Sequence, residues 1–143
     1  MLILHVLDHS IPLHSGYTFR SRSIFEHQRA LGWETDHITS TKHADAVDSQ
    51  PGEETVEGLH FFRTAPRSVL HKLPMANQYA VISDLERRLF EVAKRVKPDL
   101  LHAHSPALNG IAAIRVGRRL GIPTGYEVRG FWGDAAVSHG TAK

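Results

Sequence analysis

Three short segments carry residue types whose spacing suits chemistry. His102-Ala103-His104 places two imidazoles at alternate positions, which on a strand share one face. Such a pair can hydrogen-bond a sugar or a phosphate, or bind a metal. A metal site needs a third or fourth ligand, and His9 and His14 are the nearby candidates. The packed alternative is one core histidine and one at the strand end, and His104, nearest the strand terminus, is the better placed for ligand contact. Glu127-Val128-Arg129 repeats the alternation. Two charges on one face of a buried strand are costly unless they pair or look into a cleft. Arg129 offers a bidentate fork for phosphate or carboxylate, with Gly130 and Trp132 following at the open end. The third segment, His14-Ser15-Gly16-Tyr17, sets a glycine where a helix begins. Free N–H groups and the helix dipole favour an anion there, and Arg20 and Arg22 lie one turn inside. An ordinary strand-to-helix turn would look the same. No GxGxxG occurs, so a dinucleotide fingerprint is not supported.

The surrounding patterns predict the elements that carry these segments. Leu2 to Leu7 is a nearly unbroken apolar run, expected of a parallel strand covered on both faces. A helix follows over about Tyr17 to Leu31, with Ile24, Gln28 and Leu31 on one stripe, an Arg22/Glu26 pair and Gly32 as its stop. Glu34 to Ser40 reads as a strand, Thr41 to Gly58 as an exposed loop, and Leu59 to Arg63 as a short strand. Ala65 to Pro74 has no clear period. The strongest helix spans about Met75 to Lys97, its stripe formed by Val81/Ile82, Leu85, Leu89, Val92 and Val96. Pairs Asp84/Arg88 and Glu91/Arg95 sit at i,i+4 on its charged face. Asp99 to His104 is a further strand. Ser105-Pro106 then supplies an N-cap and a proline at the first position of a helix striped by Leu108, Ala112, Val116 and Leu120. Pro123 to Val128 returns as a strand. His27, His37, His43, His60 and His71 are expected at the surface.

Strand, helix and strand in succession make βαβ units, and two of them predict an α/β fold, a Rossmann-like doubly wound parallel sheet. Ligands of such sheets bind beyond the carboxyl ends of the strands, where all three segments should meet. Residues 1–143 read as one such domain, cut short at its C-terminal end because Phe131 to Lys143 cannot complete a covering helix.

Composition narrows the function classes. With 41% hydrophobic and 22% charged residues, the chain is globular and not intrinsically disordered. A net charge of +2 and 11 histidines suit an anionic ligand but not nucleic acid. The absence of cysteine excludes disulfides, thiolate metal sites and cysteine catalysis, and is compatible with a reducing compartment. No run approaches the ~20 apolar residues that span a bilayer, and Met1 to Asp8 reads as a strand, not a signal peptide.

In order and spacing, His5-Val6-Leu7-Asp8-His9-Ser10 with Pro12, Ser15-Gly16-Tyr17, Asp99-Leu100-Leu101-His102-Ala103-His104-Ser105-Pro106 and Tyr126-Glu127-Val128-Arg129-Gly130 resemble the N-terminal, acceptor-side domain of family 4 retaining glycosyltransferases of the GT-B fold. Their spacing is most similar to that of the group encoded beside exosortase and polysaccharide genes. The resemblance implies two facing Rossmann-like halves, the missing C-terminal one holding the donor. It implies no cofactor and no metal, with the nucleotide-sugar as substrate and a saccharide or lipid-linked acceptor. Ser15-Gly16 would lie over the donor diphosphate. Arg129 stands where the family usually carries a histidine near the reacting sugar, which makes it the catalytic candidate. Ser15, Gly16, Tyr17, Arg20, His102, His104, Glu127 and Gly130 are the substrate-binding candidates. A cytoplasmic location follows, with peripheral contact at the inner membrane face through the basic and apolar mix of Arg67 to Leu73, and no transfer by residues 1–143 alone. Two alternatives stay open: a non-catalytic anion- or carbohydrate-binding Rossmann-like module, and a metal hydrolase using His102 and His104.

Overall fold

The computed structural model describes residues 1–46 and 52–129. In chain order the elements are β1 (Leu2–Leu7), α1 (Gly16–Ala30), β2 (Glu34–Thr39), α2 (Thr41–Ala46), β3 (Gly52–Val56) and β4 (Leu59–Arg63). After a 3-10 turn at Val69–Lys72 come α3 (Asn77–Val96), β5 (Leu100–His104), α4 (Ala107–Leu120) and β6 (Thr124–Glu127). The six strands order as β3-β4-β2-β1-β5-β6, parallel except for β3, which pairs antiparallel with β4. This is the doubly wound sheet of the sequence expectation. β1 is central, and the strand order reverses between β1 and β5, which is where such sheets open a crevice.

The two faces of the sheet differ in chemistry. Towards α3 and α4 the core is purely apolar: Leu4, Val6, Ile38, Phe62 and Leu101 meet Leu85, Leu89, Val92, Ala112 and Val116. The predicted stripes of α3 and α4 supply its Leu85, Leu89, Val92, Ala112 and Val116. Gly117 lets α4 approach β6, because a Cβ there would sit 2.2 Å from Thr124 Oγ1 and 2.7 Å from the Ile122 carbonyl oxygen. Towards α1 the layer is mixed. In-register pairing aligns Phe61, His37, His5 and His102 across four strands, and Phe25 of α1 packs on His5 and His37 at 4.5 and 4.2 Å between ring centroids.

Several local expectations are corrected. The buried residues of α1 are Thr18, Ser21 and Phe25, while Leu31 is exposed and Ile24 and Gln28 are partly covered; the helix covers a polar layer, so an apolar stripe does not mark its inner face. Within Thr41 to Gly58 lie α2 and β3, since β4 needs an edge partner. His37 and His43 are buried. His37 Nδ1–H donates to the His60 carbonyl at 2.7 Å, and His43 Nδ1 accepts the Ser10 N–H at 3.3 Å. Burial lowers both to about 3, so they are neutral. Pro106, not Ser105, is the N-cap of α4, because the Ser105 hydroxyl is held by β6. The i,i+4 pairs of α3 are also replaced: Asp84 binds Arg87, Arg88 reaches Glu91, and Arg95 reaches Glu53. The Arg22–Glu26 pair forms as expected, at 2.8 Å.

Candidate functional site

The β1–α1 loop, the end of β5 and the end of β6 meet at the β1/β5 crevice. Ser15 caps α1 by accepting the Thr18 N–H at 3.1 Å, satisfying one of the donors a helix start leaves open. Gly16 begins the helix with no positive φ, and a Cβ there would meet nothing within 4 Å. Neither backbone nor packing requires a glycine at that point. Tyr17 is partly covered, its hydroxyl accepting the Asp8 N–H at 3.1 Å, and burial pushes its phenol up.

β6 stops at Glu127, so Arg129 lies just past the strand. Its N–H donates to Ser105 Oγ at 2.8 Å, while the Ser105 hydroxyl donates to the Glu127 carbonyl at 3.1 Å. The Arg129 side chain, 6% exposed, turns beneath α1. It donates to the Tyr17 carbonyl at 3.0 Å, to Ser21 Oγ at 2.7 Å and to His104 Nδ1 at 2.5 Å, and lies 4.4 Å from the Tyr17 ring centroid. Glu127 faces the crevice. Arg20 Nη2 is 2.8 Å from its Oε1, and His102 Nε2 and His104 Nδ1 are 3.4 and 3.3 Å from its Oε2. Glu127 Oε1 and Arg129 Nε stand 3.6 Å apart, both buried and without a hydrogen bond.

His102 and His104 share a face as expected, their rings stacked at 4.2 Å. The third imidazole near them is His5, not His9 or His14. The ligand nitrogens of His5, His102 and His104 lie within 4.8 Å of one another, and these are the residues that would have to hold a metal. Their hydrogen bonds give another account. A guanidinium only donates, so His104 Nδ1 accepts and its proton sits on Nε2. His104 Nε2–H then donates to His5 Nδ1 at 2.9 Å, and His5 Nε2–H donates to Gln28 Oε1 at 2.7 Å. A directed chain runs from Arg129 through two neutral imidazoles to α1. Burial is the main cause that lowers His5 and His104, with His37 and His102 adding to it at His5 and His102 and His5 at His104. Burial also lowers His102, against the pull of Glu127. Arg129 against His104 sets a positive charge where a cation would have to bind.

Of the sequence candidates, Ser15, Gly16, Tyr17, Arg20, His102, His104, Glu127 and Arg129 are brought to this crevice; Gly130 lies outside the described residues. His5, Ser21 and Gln28 were not anticipated. A histidine within an apolar strand was the available signal for His5, and it gains meaning only from the His5↔His102 register.

Residues 15–143 match the family model of the glycosyl transferase 4-like domain. The chain belongs to that family. It is 28% identical over 124 residues to the GDP-mannose-dependent alpha-mannosyltransferase of Mycobacterium tuberculosis, covering 83% of this chain and 29% of that protein. The chain thus spans less than a third of the curated relative it matches. Among solved structures, the glycosyltransferase SsfS6 of Streptomyces sp. SF2575 superposes with a TM-score of 0.59 at 18% identity, over 90% of this chain and 39% of that one. Sucrose-phosphate synthase of Thermosynechococcus elongatus superposes at 0.62 and 16%, over 89% and 32%. This glycosyl transferase 4-like domain therefore has the Rossmann-like fold of an N-terminal GT-B half.

Proposed function

We propose that this domain is the acceptor-binding half of a retaining glycosyltransferase, which moves a sugar from a nucleotide-sugar to a saccharide or lipid-linked acceptor. The observation that carries the reading is the convergence of Ser15-Gly16, His102, Glu127 and Arg20 on one crevice at the switch point of the sheet. The GDP-mannose dependence in the relative's name supports a nucleotide-sugar donor. The open space at Gly16 would admit the donor diphosphate against the free N–H groups of α1. His102, with Glu127 beside it, would hydrogen-bond acceptor hydroxyls. Arg129, whose Nη groups are occupied inside the fold, would act by positioning Glu127 and His104 rather than by touching the sugar. The reaction is metal-independent on this reading, because hydrogen bonds already engage His5 and His104. Residues 1–143 alone would not turn over, since transition-state stabilisation needs groups on both sides of the reacting centre.

Peripheral membrane contact belongs to the same proposal. Val69, Leu73, Met75 and Tyr79 are exposed beside Arg67 and Lys72, Met75 at 96%, and such an apolar and basic patch suits an anionic bilayer surface. Among the described residues no helix is long and apolar enough to cross a membrane.

Turnover of a nucleotide-sugar panel by the full-length gene product, beside residues 1–143, tests the transfer. Activity of the whole and none of the part is expected, and no hydrolysis or transfer of any donor would move the assignment to a non-catalytic binding module. Flotation on anionic vesicles tests the membrane contact, which absence of binding removes.

A further inference from the structure

A second polar site lies at the carboxyl end of β4, outside the β1/β5 crevice. There a crevice of about 270 Å³ is lined by Thr64, Ala65, Arg67, Arg87, Arg88 and Glu91, among others. Arg63 also borders it, but its guanidinium turns away to Glu54 and to the Ile11 carbonyl. A buried carboxylate organises the wall. Asp84, 1% exposed, accepts the N–H groups of Arg67 and Ser68 at 2.9 and 3.1 Å, and His71 Nε2 at 2.7 Å. Its other oxygen accepts Arg87 Nη2 at 3.0 Å. One aspartate thereby fixes the backbone that carries Arg67 and the guanidinium of Arg87 on the same crevice. Arg88 adds a third guanidinium, held by the Gly52 carbonyl at 3.2 Å, with Glu91 at 3.8 Å. Arg67 has no side-chain hydrogen bond or ion pair among the described residues.

We propose that this crevice binds the phosphate of a phosphorylated ligand. Three guanidiniums on a small concave surface match the geometry and charge of a phosphate dianion. Anchoring of Arg87 by Asp84 and of Arg88 by the Gly52 carbonyl leaves those two side chains less entropy to lose on binding. Arg63, which borders the crevice, donates to the Ile11 carbonyl and so ties this wall to the loop between β1 and Ser15. The identity of that ligand as a phosphorylated acceptor rests on the acceptor-half reading; the binding of phosphate does not.

The test is calorimetric titration of the full-length gene product with inorganic phosphate, without any donor. An apparent Kd raised at least tenfold in Arg67→Ala and in Arg67→Ala/Arg88→Ala is expected, with Arg67→Lys intermediate. Arg67→Ala removes no side-chain hydrogen bond or ion pair among the described residues, so it folds even where the double variant does not. Vesicles of phosphatidylcholine with and without phosphatidic acid separate the sources. Phosphatidic acid-dependent binding that phosphate displaces and Arg67→Ala abolishes assigns the site to a lipid headgroup. Arg67-dependent phosphate binding without that displacement assigns it to a soluble phosphate ester. No phosphate binding, or binding unchanged in Arg67→Ala, overturns the proposal, whatever the donor panel shows; absence of transfer with phosphate binding intact overturns only the transferase reading.

Discussion

At the β1/β5 crevice a guanidinium is enclosed, whereas beside α3 guanidiniums line an open surface, and the two regions use arginine in opposite ways. Arg129 donates inward to a carbonyl, a hydroxyl and a neutral imidazole, so its charge orders the protein. In the α3 crevice Asp84 lies on the protein side of Arg87 and beneath the backbone of Arg67, so the carboxylate orders and the guanidiniums face solvent. The lesson concerns which partner is buried. A buried cation with neutral acceptors makes a rigid scaffold, while a buried anion behind cations makes a receptor for another anion.

The largest expected effect tests the enclosed side. Arg129→Ala leaves His104 Nδ1 without its donor, strips one donor from the Tyr17 carbonyl and from Ser21 Oγ, and removes the buried cation beside Glu127. It should therefore lower unfolding free energy by about 3–5 kcal/mol in urea titration. Arg129→Lys, which keeps the charge but not the fork, should recover only part. Asp84→Ala should cost somewhat less, about 2–3 kcal/mol, because the freed backbone N–H groups of residues 67 and 68 can reach water. Its sharper readout is faster amide exchange confined to Arg67 and Ser68.

Acid should separate the two regions. His37 is held at about 3 when folded against 6.5 in a free chain, so below pH 6.5 the unfolded state binds the extra proton. Stability is then flat above pH 6.5 and falls between pH 6.5 and 3, by on the order of 2 kcal/mol at pH 5 for this residue. His37→Gln should flatten that slope. Burial pushes the Asp84 carboxyl up, but its N–H and His71 donors and Arg87 together hold it below the usual 3.8. Its contribution persists above 3.8 and is lost only as pH falls lower, through its folded value. Exposed pairs should matter least. Arg115→Ala, which removes a 3.2 Å contact with Glu86 at the surface, should leave stability within about 0.5 kcal/mol.

Element type and order were legible where one period dominated. The apolar run of β1 and the stripes of α3 and α4 follow directly from burial on one face or both, and the meeting of the three chemical segments followed from their place at the carboxyl ends of strands in a doubly wound sheet. What local pattern could not supply was the polar side of the fold. α1 covers histidines, so Thr18, Ser21 and Phe25 face inward without an apolar stripe, and α2 and β3 lie in a stretch whose polarity reads as loop.

Alternation along β5 determined by itself that His102 and His104 point the same way, and the change from apolar run to polar loop determined where strands end and chemistry can begin. Only tertiary structure decided that His5 and His37 join that row, that Arg129 turns beneath α1, and that Asp84 gathers arginines around a crevice. The physical reason is range. Periodicity reports what each segment does with its own two faces, whereas register and side-chain hydrogen bonds join residues about 100 positions apart, such as His5 and His104, and exist only once the strands lie side by side.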